Sequence, residues 1–134
     1  MTKKITLKKI SIPPQGNINH DIDYLCKSFG YFSERDKNDT AGKIFRILVK
    51  ECSNKGLTSD EIASKVNITR GAAVHHLNSF IDSGIVVREN NTYRLRAESI
   101  RKCLEEIKED TERLFKDMIK IAKDIDEKIG NSYR

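Results

Sequence analysis

No apolar run in this chain approaches the roughly 18 residues that a membrane span needs, and its start has no secretory h-region. The sequence therefore predicts a cytoplasmic protein with no membrane partner. Cysteine is scarce and scattered: Cys26, Cys52 and Cys103 form neither a disulfide framework nor any C-x-x-C metal spacing. Each falls on or beside an apolar helical stripe and reads as a small buried hydrophobe. There is no P-loop and no G-x-G-x-x-G, so the common phosphate-cradling enzyme signatures are excluded. His75 and His76 are neighbours. On a helix they point about 100° apart, and no third ligand lies nearby in sequence, so they do not describe a metal site. The expectation is a non-enzyme without cofactor or metal.

Acid is missing from the first twenty residues, which carry four lysines, and this is where most of the net charge of +5 arises. Residues 21–57 carry seven bases against six acids, residues 58–97 five against four, and residues 98–134 nine against ten. The total favours an acidic partner. The near-neutral last third suits a face that meets protein.

What is present is helical pattern with one β-prone interruption. Ile5 and Leu7, then Ile10 and Ile12, sit at strand spacing but out of phase, giving a short strand or an ordered arm that ends at Pro13-Pro14. Ile22, Leu25, Cys26 and Phe29 predict a helix over 20–29, closed by Gly30. Residues 31–38 read as a polar connection. Asp39 or Thr40 caps a helix with Ala41, Ile44, Phe45, Leu48 and Cys52 on one stripe, ending near Asn54 with Gly56 as its stop. Thr58-Ser59-Asp60-Glu61 has the form of a capping box, and Ile62, Ala63 and Val66 are the buried residues of the short helix behind it. Asn67-Ile68 is a turn. Thr69 then caps a helix from Arg70 to Ser83, which Gly84 stops in the left-handed conformation.

This last helix carries most of the functional signal. On a wheel, Ala73, Leu77, Phe80 and Ile81 face one side, the core. Gly71, Ala72, His75, Ser79 and Asp82 face away, with Val74 and Asn78 near the boundary. A solvated face would carry Lys and Glu. Small residues behind a helix-initial Thr-Arg, followed by His, match what a DNA major groove accepts. Thr69 and nearby amides suit a phosphate, and Arg70 suits a phosphate or a guanine edge. Thr58 and Ser59, at the start of the preceding helix, are further candidate DNA contacts. The competing reading for Gly71 and Ala72 is a protein segment packed against them. For His76 it is a packing role.

Ile85–Glu89 and Thr92–Arg96 are two short β-prone runs joined by Asn90-Asn91, a tight hairpin with Tyr93 and Leu95 inward and Arg94 and Arg96 outward. Arg88, Asn90, Asn91, Arg94 and Arg96 are candidate backbone or minor-groove contacts. A solvated strand face is the alternative.

From Ser99 to Ile129 a single helical pattern runs without Gly or Pro. Ile100, Leu104, Ile107, Thr111, Leu114, Met118, Ile121 and Ile125 alternate steps of four and three, a heptad seam with Phe115, Ala122 and Ile129 beside it. The helix would be roughly 45 Å long, more than a domain this small can cover, which predicts a homodimer.

Residues 58–96 resemble the winged-helix domain of ArsR-like and related archaeal transcription regulators. The likeness rests on Thr69-Arg70-Gly71-Ala72-Ala73, His75-His76-Leu77, Phe80-Ile81 and Gly84-Ile85-Val86. The resemblance implies a dimer on a pseudo-palindromic operator, usually a repressor, with DNA contacts from Thr69, Arg70, Gly71, His75, Arg88 and Arg94. Metal-sensing members carry paired Cys near the recognition unit, or Asp and His on the last helix. This chain has neither pattern.

The expected fold is mainly α with a small β-wing: a winged helix-turn-helix with a long C-terminal dimerisation helix. Residues 1–38 form an arm and short helix, 39–97 the DNA-binding domain and 98–134 the coiled-coil-like helix. The expected partners are double-stranded DNA and a second copy of the chain. A winged-helix protein-interaction module, or a sensor using a small ligand or cysteine oxidation, are the rival readings.

Overall fold

A computed structural model describes residues 2–31, 39–51 and 55–133, with side chains described through residue 130. The expectations for Cys52, Asn54 and the connection at 32–38 lie outside the described residues. Among the described residues five helices and three strands follow one another: α1 (Ile18–Ser28), α2 (Thr40–Glu51), β1 (Leu57–Thr58), α3 (Ser59–Val66), α4 (Arg70–Ser83), β2 (Val86–Glu89), β3 (Thr92–Leu95) and α5 (Ile100–Tyr133). This is a winged helix-turn-helix, mainly helical with a small antiparallel sheet and a long last helix. No described helix is long and apolar enough to cross a membrane.

The capping chemistry sets the register. Asn17 accepts from the amides of Asn19 and His20 at 3.0 and 3.1 Å, starting α1 two residues before the hydrophobic pattern alone suggests. Thr58 and Glu61 form the complete capping box. Thr69 Oγ1 accepts from Ala72 N at 3.1 Å, and α4 runs over the predicted span. Asn67, at φ 61° and ψ 52°, makes the turn between α3 and α4.

The sheet has strand order β1-β3-β2. Val86 pairs with Leu95 and Glu89 with Thr92 across the hairpin, and Asn90 alone of its two turn residues has positive φ. The sequence pattern did not reveal β1. Its two residues are too few for alternation, and Thr58 signals a helix cap instead. Gly56 makes the pairing fit: its φ is +69°, and a Cβ there would lie 3.1 Å from Tyr93 O.

One buried cluster joins all five helices. It holds Ile22 and Cys26 of α1, Ile44, Phe45 and Leu48 of α2, Ile62 of α3, Leu77 and Phe80 of α4, Tyr93 and Leu95 of β3, and Cys103 and Ile107 of α5. Tyr31 meets Phe80 edge-on at 4.6 Å and its hydroxyl hydrogen-bonds Ser83. Cys26 and Cys103 are fully buried, and burial pushes the Cys26 thiol up to about 12.

The first residues form an ordered arm, with no strand. Lys3 N and Lys4 N both donate to Asp82 O at 2.8 and 2.9 Å, and Lys8 N donates to Ser28 O. The arm lies against helix ends, which offer carbonyls but no sheet edge, so the alternation of Ile5 and Leu7 finds no ladder. Ile5 packs against the core, whereas Leu7 and Ile12 stay exposed.

Helix α5 divides into two parts. Through Asp110 it packs on its own domain: Ile107, expected in a dimer seam, is buried in the chain's own core, with Ile100 and Leu104 packed against it. Every described residue from Glu112 to Ile129 is exposed.

Candidate nucleic-acid interface

Helix α4 presents its N-terminal half outward. Thr69, Arg70, Gly71, His75 and Asn78 are exposed, and Ala72 is half-buried. A Cβ built at Gly71 would meet nothing within 4 Å, so no described segment of this chain explains its small size. The amides of Arg70 and Gly71 have no acceptor within the helix and point out at its positive end, which is a seat for an anion. Arg70 Nε lies 3.8 Å from Asp60 Oδ1, with both side chains more than two-thirds exposed. So loose a pair in water contributes little and yields readily to a phosphate. His75 and His76 meet edge-on at 5.5 Å, His76 being half-buried. Among the described residues no group of three metal-ligating side chains converges.

Thr58 sits at the same surface, but its hydroxyl lies 3.0 Å from Glu61 Oε1 within the capping box, a structural task. Ser59, expected as a DNA contact, is 7% exposed. The first turn of α3 points it inward, and the hydroxyl is not presented to a ligand.

The wing arginines have separate fates. Arg88 is exposed near the hairpin tip, where its Nε donates to Asn90 O at 3.1 Å and its guanidinium lies 5.6 Å from the Tyr93 ring centre. Asn90 and Asn91 are exposed beside it. Arg94, on the outer face, is paired with Glu89 and stays partly accessible. Arg96 departs from the expected outward role. Its side chain is 9% exposed, because the start of α5 folds over that end of the wing. Arg96 Nη1 donates to Asp110 Oδ2 at 2.7 Å, and Nε lies 3.1 Å from Glu106 Oε1.

Asp110 is the knot of this arrangement, and no sequence signal marks it, because it reads as one more acid on a charged helix. It accepts from Arg96, from Thr2 N at 3.0 Å and from Arg113. The Arg96 hydrogen bond, with support from Thr2, holds its carboxyl well below the usual carboxylate range. Thr2 Oγ1 stands 3.1 Å from both Asp110 Oδ2 and Ser83 O. The arm, the wing and α5 are thereby tied to the far end of α4.

Residues 37–87 match the family model of winged helix-turn-helix DNA-binding domains, a span from just before α2 into β2. No curated protein and no solved structure matched the chain.

Proposed function

From the winged helix-turn-helix DNA-binding domain at residues 37–87, we propose a homodimeric, sequence-specific regulator of transcription, of the ArsR-like type and acting as a repressor. Residues 39–97 are the reading unit, residues 1–38 brace it, and residues 98–134 join two copies. The carrying observation is the open, side-chain-poor front of α4, with Gly71 facing empty space beside Thr69, Arg70 and His75. Such a surface admits the close backbone approach of a major groove. Arg88, Asn90, Asn91 and Arg94 then rest on the flanking backbone, where contacts position the domain without reading sequence. Arg96 has no part in this contact.

The dimer is supported by the exposed face of α5. Leu114, Phe115, Met118, Ile121 and Ile125 are each about half exposed, an unusual state for five large apolar side chains on one helix. Two copies would present two α4 helices to successive major grooves of a pseudo-palindromic operator. We assign the protein no catalytic role and place it in the cytoplasm.

Fluorescence anisotropy tests the reading, with a duplex from the chain's own promoter set against a scrambled duplex at about 50 and 200 mM salt. Tighter, salt-weakened binding to the promoter is expected. Equal binding to both would remove sequence specificity. Binding to neither would transfer the fold to a protein-interaction role.

A further inference from the structure

A cleft of about 500 Å³ opens between the arm, the end of α4, the outer face of the wing and α5. Lys3, Arg94 and Arg96 line it together with Ile81, Val87 and Glu106. Its position is far from the groove-facing front of α4: the helix has 14 residues, so its two ends are about 20 Å apart.

The charges are arranged unevenly. Arg94 is matched by Glu89, and Arg96 is matched by Glu106 and Asp110. Among the described residues Lys3 makes no ion pair, and Arg88 at the rim adds a second cation whose partners are neutral oxygens. The buried Arg96 Nε is close to Glu106 but makes no aligned hydrogen bond with it. The lining therefore carries a net positive charge beside an apolar part, Ile81 and Val87. A cavity of this size with an apolar wall and a few convergent polar groups has the ordinary make-up of a small-molecule site.

We infer that this cleft binds a small amphipathic carboxylate, its charged end between Lys3 and Arg94 and its apolar body against Ile81 and Val87. The carboxylate oxygens accept from the lysine ammonium and the arginine guanidinium, replacing Glu89 on Arg94. The binding itself does not depend on the DNA-binding reading. A consequence does rest on that reading: a ligand that engages Arg94 withdraws it from the DNA backbone and lowers DNA affinity, and by linkage DNA lowers ligand affinity equally.

The test uses the full chain without DNA, with benzoate as probe and benzamide as its uncharged counterpart. Amide NMR shifts of Gly84, Val86 and Val87 are followed through the titration. Benzoate should give saturable shifts confined to these residues, and benzamide should bind at least about tenfold more weakly, the loss of one charge-assisted contact. Lys3→Glu and Val87→Glu should each weaken benzoate by a similar factor while leaving the remaining spectrum folded. Scattered or unsaturable shifts, or equal binding of benzamide, would overturn the assignment. Saturation by benzoate in a chain that binds no DNA would keep the site and refute only the DNA reading.

Discussion

Arg70 and Asp110 are both charged residues on helices, and their surroundings give them opposite tasks. Arg70 is held by one loose, exposed contact, so its removal should leave the fold alone. Arg70→Ala is expected to cost about 1–3 kcal/mol in affinity for a cognate duplex, with an unchanged denaturation midpoint. Unchanged affinity would exclude it from the DNA contact. Asp110 is 5% exposed and surrounded by donors. Asp110→Asn leaves Arg96 without its closest counter-charge in a buried setting, and about 3 kcal/mol of stability should be lost. The pH dependence has a definite sign. The carboxyl's folded-state pKa lies below its unfolded value of about 3.9, so its contribution is complete above that pH and declines as pH falls. Denaturant midpoints from neutral pH down to about 3 should fall more steeply for the native chain than for Asp110→Asn. Parallel curves would show that Arg96 and Thr2 do not stabilise the ionised form.

At the scale of elements, α5 is the part on which the proposed dimer rests. Its first turns belong to the core, and about 27 Å of helix from Glu112 to Ile129 is exposed among the described residues. Ile107 is part of the core, so charge placed there would unfold the domain and say nothing about assembly. Leu114→Asp with Ile121→Asp tests the dimer without touching that core. Sedimentation should change from dimer to monomer while the helical signal of the domain persists. A species still dimeric would locate the interface elsewhere. The elements themselves were largely legible in the sequence, because caps are local chemistry. Thr58 with Glu61, Thr69 with Ala72 N, and Gly84 each act within a few residues of their own position. What stayed hidden depends on distant partners. β1 exists only because β3 lies beside it, and the heptad pattern could not tell Ile107, covered by the chain's own core, from Leu114. Arg96 looked outward by strand alternation, which was correct as to face, but α5 returns over that face. The exposed front of α4, proposed to face the groove, drew notice in the sequence for the opposite reason: its signal is the lack of side chains where a solvated helix would carry them.

Across the whole molecule, the arm joins parts that the sequence keeps far apart. Gly84 is the seat: its φ is +92°, and a Cβ there would stand 2.5 Å from Thr2 Oγ1. Gly84→Ala should cost about 1–2 kcal/mol from backbone conformation alone and should also lift the arm. Amide hydrogen exchange would report the second effect, because Lys3 and Lys4 N–H lose their Asp82 acceptor and exchange faster. Protection equal to the native chain would mean that the arm docks independently of Gly84. Lifting the arm also removes Lys3 from the carboxylate cleft, so such a variant should bind benzoate poorly.

The Thr2–Asp110 hydrogen bonds also impose a timetable. The two residues are 108 positions apart, so a ribosome adding about 5–20 residues per second delivers the second some 5–20 s after the first. During that interval the arm has emerged but its final acceptor has not. Asp82 and Ser83 arrive earlier and can hold the arm provisionally by their carbonyls. The nascent chain therefore completes α4 before it fastens the arm to Asp110, and the first turns of α5 close the domain last.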